Sequence, residues 1–452
     1  MLVLSTMKRL ALLLLFFFFP TLTFAEIIPL TILHTNDFHS YLLPDKEGKG
    51  GADVIAAYLR QERSKPQNLL ILNAGDMVSG TAVSAMYKGE PIFHVLNRWS
   101  LDAAVFGNHE FDYGILAIQR FRDIAHFPLI CANAFTMAEN GQMRLLADAE
   151  CEIFDRGGLR IAIIGVAPEW TVAMTTKDAS QDVRFVDSIA ALKRLVPQFK
   201  GKVDLLVALT HVGVGHDRKI ANEIPAIDLI IGGHSHTVLE KEERVNGVPI
   251  VQAGSKGLYI GRVELTVDTD KNQIADFSYC LLPVNRQLAQ PDPETERLVK
   301  EWEDKVAELV DHPLGETQVP LSKMQMIYIA QDAFLEACGA DYAHQNPGGT
   351  RGGLGQGAFS YREIWNIFPF DNTLTVAQVP GREIPSDFYG KAPIDPNRNY
   401  RIVTNSFVRD QWDRIHPELK HWQWEDTGFS LRDSVFRYIE KRKTIAPAQM
   451  KR

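Results

Sequence analysis

The chain has 452 residues, 45% of them hydrophobic and 23% charged, with a formal net charge of -8. This balance supplies a large apolar core and more than one domain, and it excludes a disordered or fibrous chain. The mild negative charge has the wrong sign for a protein held on phosphates, so no nucleic-acid partner is expected.

The first predicted element is a leader. Lys8 and Arg9 precede an apolar run from Leu10 to Phe19, followed by Pro20 and the small-residue site Thr23-Phe24-Ala25. The pattern is that of a secretory signal peptide over residues 1–25. The run is too short for the ~20 residues that span a bilayer, and no later stretch qualifies. A periplasmic or secreted protein without a membrane span is therefore expected. The four cysteines, Cys131, Cys151, Cys280 and Cys338, show no CxxC spacing, which leaves a cysteine zinc site unsupported. Cys131 and Cys151 lie near consecutive strands, where a disulfide and two free thiols are both open readings.

From Ile27 to about Thr266, near-continuous apolar runs such as "NLLILNAGD", "LRIAIIGVAP", "VDLLVALTHVG" and "IDLIIGGHSH" alternate with helical patterns at Gly51–Arg63 and Ser188–Lys200. Such runs suit strands covered on both faces, hence a layered α/β domain. The stretch "KGLYIGRVELTVDTDKNQIADFSYCLLPV" alternates instead and carries an Asp-Lys-Asn turn, which predicts a closing antiparallel hairpin. Residues Gln290 to Val310 open with two prolines and a Thr cap and continue as a charged amphipathic helix. The expected organisation is a layered α/β domain over 26–289, a linker helix over 290–310 and a smaller α+β domain over 311–452.

The ends of the predicted strands carry the chemistry. Asp37 and His39 follow the first, Asp76 the next, Asn108 and His109 the third, then His211, then His234 and His236. Carboxylates, an amide oxygen and imidazoles in one place suit adjacent divalent ions such as Mn, Fe, Co or Zn better than Ca or Cu. A single histidine after a strand is ordinary, but five such segments in one chain make coincidence a poor explanation. His34, His94, His126 and His216 fall outside the pattern and are expected to be ordinary packed or surface histidines.

The series D-x-H, GD, GNHE, H and GHSH resembles the signature of the calcineurin-like metallophosphoesterases. The stretches "LHTNDFHS", "GNHEFDYG" and "GGHSHT" are similar to the secreted 5'-nucleotidase and UDP-sugar hydrolase branch of that family. The resemblance implies two divalent metal ions. One would be held by Asp37, His39, Asp76 and His236, the other by Asp76, Asn108, His211 and His234, with Asp76 shared. It leaves His109 facing the substrate, with Asp112 orienting its ring, and gives Glu110 a structural role. Ions held this way lower the pKa of bound water and clamp an ester's oxygens.

In the second domain, "NPGGTRGG" and "PFDN" resemble the 5'-nucleotidase substrate domain. Arg351 then falls at the phosphate, Phe370 and Asn372 at the base and nucleoside, Phe407 at the second stacking ring and Asp413 at the ribose. Two departures stand out. A Gly-Gly-Asp-Gly turn is replaced by Gln411-Trp412-Asp413-Arg414, which brings Trp412 to the expected pocket. The family's other arginines are missing near "VPLSKMQMIYIAQDAF", where Lys323 is the only nearby cation, and lysine lacks the guanidinium's fork. The reading is an extracytoplasmic dimetal hydrolase of nucleoside 5'-monophosphates, with nucleotide-sugar pyrophosphates as a further class. The alternatives are a 2',3'-cyclic-nucleotide phosphodiesterase, a thiosulfohydrolase on the same metal domain and, in another class, a non-catalytic nucleotide-binding protein.

Overall fold

The apolar runs of the first half become strands that no water reaches, because each sheet is covered twice. In the computed structural model, which describes residues 27–138, 141–176, 179, 181–390 and 392–447, two six-stranded sheets pack face to face. The leader expected over residues 1–25 lies outside the described residues. The first sheet runs 273–283, 259–268, 27–35, 69–73, 103–105 and 129–130, and the second runs 243–245, 248–251, 229–231, 205–210, 159–166 and 151–156. Between them lies a core that takes Ile32, Leu72 and Val105 from one sheet and Ile163, Val207 and Ile231 from the other. Helices cover the outer faces, Ala52–Arg63 on the first sheet and Ser188–Phe199 on the second. Period-2 alternation is therefore absent from the central strands for the reason anticipated, and all five residues of Leu69–Asn73 are buried.

The predicted hairpin is present: Tyr259–Asp268 pairs antiparallel with both Ile27–Thr35 and Gln273–Pro283. The linker helix spans Pro293–Val310, and its cap differs from the expected threonine. Asp292 is the N-cap, its carboxylate accepting from Thr295 N and Thr295 Oγ1. Val299, Val306 and Val310 bury the helix against the first domain. Its other side meets the second domain, where Arg362 pairs with Glu303 and Asp311.

The second domain packs helices Lys323–Cys338 and Leu431–Arg442 beside a five-stranded sheet, ordered 389–390, 342–343, 399–405, 373–380 and 424–430. Met326, Phe334, Phe368, Leu374 and Val435 form its core. All four cysteines are free, which settles the open question of Cys131 and Cys151 in favour of thiols. Among the described residues, no helix is long and apolar enough to cross a membrane.

Candidate active site

The residues expected as ligands gather where strands of the two sheets end together. Asp37, His39 and Asp76 leave the first sheet, His211, His234 and His236 the second. Ligand atoms of Asp37, His39, Asp76 and His236 lie within 4.8 Å of one another, as do those of Asp76, His211 and His234. Asp76 belongs to both groups. Asn108 joins the second, with Oδ1 2.8 Å from His234 Nδ1.

Short sharp turns bring these side chains inward. Asp37, His39, Asp76, His234 and His236 all have φ between 50 and 76, a region that L-residues other than Asn, Asp and His seldom enter. Each such residue costs roughly 1–3 kcal/mol, so the surrounding fold must hold it there. Glycine is required where chains approach most closely. A Cβ at Gly233 would lie 2.5 Å from Ala74 O and 2.7 Å from His211 Nδ1.

Hydrogen bonds fix which nitrogen of each ring faces inward. His39 Nδ1 meets Ser79 O at 3.0 Å and His211 Nδ1 meets Ala74 O at 2.6 Å, leaving both Nε2 atoms for the site. Asn36 donates to Asp37 Oδ2 at 2.7 Å. Glu110, fully buried, accepts from the backbone N–H groups of Asp76, Met77, Val78 and Gly107. It thereby clamps the "GD" and "GN" turns together, in agreement with the structural role expected for it.

The donor set fits divalent cations. His211 Nε2 is buried without a partner in hydrogen-bonding geometry, although Asp76 Oδ2 is 3.1 Å away. Burial disfavours its charge, yet Asp76 and Asp37 outweigh that and raise its pKa to about 10. A proton thus sits where two carboxylates demand positive charge, the place a metal ion would take by displacing it. Burial and neighbouring positive groups push His39 well below the usual imidazole range and His234 down to about 4, so both offer lone pairs.

His109 belongs to neither group of ligand atoms. Its Nδ1 is 2.6 Å from Asp112 Oδ2, and its backbone N–H donates to Asp76 Oδ1 at 2.9 Å. Burial lowers its pKa, but Asp112 and Asp76 prevail and the net shift is upward. Its ring lies on Phe370, with centroids 5.7 Å apart and planes 13° from parallel.

Phe370 and His109 open onto a cavity of about 390 Å³ that Asn108, Arg351, Asn372 and Phe407 also line. Four of the five expected substrate residues are thus brought together. The fifth is not: Asp413 lies exposed on the helix Ser406–Ile415 and does not line the cavity. Asn405 caps this helix through Val408 N, and the chain is helical through Gln411-Trp412-Asp413-Arg414, the residues that replace the Gly-Gly-Asp-Gly turn. Trp412 does not reach the cavity either. It is 2% exposed and stacks on Trp422 at 4.9 Å.

Lys323 is not the only extra cation. A second cavity of about 110 Å³, beside His39 and His236, is lined by Lys256, Lys323 and Arg351 together. Arg351 Nη2 lies 3.2 Å from His39 Nε2. Lys256 was missed because it comes from the first domain, in the "GSKG" turn. Its φ of 60 at a non-glycine position leaves no mark in the sequence.

Residues 30–238 match the calcineurin-like phosphoesterase family and residues 311–388 the 5'-nucleotidase C-terminal domain. Residues 30–238 thus form a calcineurin-like phosphoesterase domain, and the chain is a metal-dependent hydrolase of phosphoric esters. Its second domain is similar to the C-terminal domain of 5'-nucleotidases. It is 26% identical to the protein UshA of Yersinia enterocolitica, over 93% of this chain and 92% of that one. It is 27% identical to a 5'-nucleotidase of Vibrio vulnificus, over 78% of this chain and 74% of the relative. Among solved structures, the 5'-nucleotidase precursor of Thermus thermophilus shares the fold with a TM-score of 0.84 at 24% identity, covering 94% of this chain and 99% of that chain.

Proposed function

We propose that the protein hydrolyses nucleoside 5'-monophosphates outside the cytoplasm. The observation that carries this reading is the continuity of the shared-aspartate ligand cluster, the His109–Asp112 pair and one cavity bearing two aromatic rings. That cavity has the size of an ordinary small-molecule site, ~300–1,000 Å³. Similarity to a 5'-nucleotidase along most of the chain supports the substrate class, and the leader-like N-terminus supports the location.

Asp37, His39, Asp76 and His236 would hold one divalent ion, and Asp76, Asn108, His211 and His234 the other. The ions supply activation of water and neutralisation of charge on the phosphoryl oxygens. Arg351, with Lys256 and Lys323 behind it, binds the phosphate. A base slides between Phe370 and Phe407, a mode of recognition tolerant of base identity. His109, held protonated by Asp112, faces the bridging oxygen from the nucleoside side and gives its proton to the leaving alkoxide. Asn372, at the same wall, orients the nucleoside.

The test is release of product by metal-reconstituted protein from AMP, UDP-glucose, 2',3'-cyclic AMP and an aryl phosphate, with sulfate release from a thiosulfonate. Highest kcat/KM on AMP is expected. Preference for the cyclic ester or the thiosulfonate overturns the reading in favour of the corresponding alternative. Tight AMP binding without turnover returns the protein to the binding class.

A further inference from the structure

Asp112 does not hold His109 alone. Its Oδ2 receives two hydrogen bonds, from His109 Nδ1 and from Ser79 Oγ, each 2.6 Å long. Ser79 stands three residues beyond Asp76, in the turn that follows the strand Leu69–Asn73, and has φ 62. That left-handed backbone lets one residue face two ways. Its carbonyl meets His39 Nδ1 while its hydroxyl reaches Asp112.

The hydroxyl is itself fixed in place. Ser79 Oγ lies 3.3 Å from the Tyr113 hydroxyl, which lies 3.3 Å from Ser84 Oγ, and Ser84 Oγ accepts from Ser79 N at 3.1 Å. Burial raises the Tyr113 pKa, so the phenol stays neutral and able to donate. A serine has one proton, and an ionised carboxylate can only accept. The Ser79 proton therefore goes to Asp112, and the Tyr113 hydroxyl is free to fill a remaining lone pair of Ser79. Asp112 Oδ2 is thus held by a second donor besides the imidazole. Without that brace, a side chain with a single donor would swing about its χ angles and carry the His109 ring with it.

We propose that Ser79 is the positioning residue of the acid dyad: its hydroxyl fixes the Asp112 carboxylate and, through it, the His109 ring that faces the leaving group. The inference rests on the leaving-group role proposed for His109. Ser79 lines the same cavity, but its hydroxyl proton is committed to Asp112, so its effect should fall on kcat more than on KM, and only where the leaving group needs a proton. In metal sites, hydrogen-bonded groups that orient the ligating histidines change affinity or activity by about 10- to 100-fold when removed, and an effect of that order is expected for a group that orients an acid.

The experiment uses the metal-loaded full chain and the variants Ser79→Ala, Ser79→Cys, His109→Ala and the Ser79→Ala/His109→Ala double variant. For each, kcat and KM on AMP and on 4-nitrophenyl phosphate are measured with metal content. Ser79→Ala is expected to lower kcat on AMP by about tenfold or more, with KM changed less, metal content unchanged and a smaller loss on the activated ester. Ser79→Cys, which keeps a donor without β-branching at this left-handed position, should lose less than Ser79→Ala, and Ser79→Ala should add nothing in the His109→Ala background. Equal losses in both backgrounds, or metal lost together with rate, would overturn the proposal and assign Ser79 to the turn that supports His39. If His109→Ala is slow and Ser79→Ala is not, the proposal falls alone. If His109→Ala is as fast as the parent, the leaving-group role falls and takes the proposal with it.

Discussion

The ligand cradle and the proposed nucleoside wall meet at one cavity, where Asn108 of the cradle lines the space that Phe370 and Phe407 also line, yet they are built on different terms. In the cradle, Asp37, His39, Asp76 and His211 are at most 2% exposed, and backbone or buried amide groups hold their polar atoms. The wall is made of half-buried rings on a loop and at a helix start, with Arg351 turned toward His39 and 5.9 Å from the Phe370 centroid. Ion ligation and proton transfer lose their effect over tenths of an ångström, so those side chains sit on strand ends and the surrounding fold sustains their strained backbone. Stacking on a base tolerates displacement, so loops suffice.

The difference predicts how damage spreads. The largest effect is expected at the shared carboxylate: Asp76→Asn should lose bound metal and reduce turnover by on the order of 10³-fold or more, since groups acting as a unit fail together. Elemental analysis and phosphate release measure the two losses, and full occupancy of both ions would break the cradle's assignment. His109→Ala should come next, losing about 10²- to 10⁴-fold in kcat while retaining its metal. A variant that also lost metal would place His109 among the ligands. Glu110→Gln should follow with about a 10- to 100-fold loss of metal affinity or rate. Glutamine keeps one acceptor oxygen but aims an NH₂ group at N–H donors, so the "GD" and "GN" turns should loosen. Metal titration of this variant shows whether the clamp acts on the ligands.

The same difference decided what could be read in advance. Each cradle residue follows a strand that its own apolar run announces, and glycine marks the turns, so Asp37, Asp76, Asn108 and His211 were visible one segment at a time. The layered sheets followed from strands lacking alternation, which have no exposed face. Ser79 and Lys256 were not visible, because each depends on a left-handed φ at a residue type that does not advertise it. The wall misled in one place. Asp413 lies six residues after Phe407, and in a turn both could face the nucleoside, but in the helix Ser406–Ile415 six residues amount to well over one and a half turns. Asn405, the residue that starts this helix, was the available signal. Asp292 likewise displaced Thr295 as the cap of the linker helix because a carboxylate at that position reaches both donors.

On the wall itself, Phe407→Ala should lower kcat/KM for AMP by about the energy of one stacked base, roughly 1 to 3 kcal/mol, and scarcely change hydrolysis of a small phosphate without a base. Phe407 is half-buried and packs against the Trp412 cluster, so a thermal melt must accompany the kinetics. Equal loss on both substrates in a folded variant would make it a packing residue and remove one side of the base slot.

The smallest effect sharpens the boundary of the wall. Asp413 carried a ribose-binding expectation, but its side chain is exposed and outside the cavity, while Phe407, Asn372 and Arg351 line it. Asp413→Ala should therefore leave kcat/KM for AMP within about twofold of the parent, the range of an ordinary surface substitution. Alanine also has a higher helix propensity than aspartate, so the melting temperature should hold or rise slightly. A deoxynucleotide gives the comparison its control, because a carboxylate bound to a ribose hydroxyl would make the parent prefer AMP over dAMP and the variant lose that preference. Loss of the preference in Asp413→Ala would mean that the last turn of the helix rearranges when nucleotide binds, and the wall would then be an induced structure. An unchanged preference limits recognition to the residues that line the cavity, with the sugar's hydroxyls left to Asn372 and its neighbours.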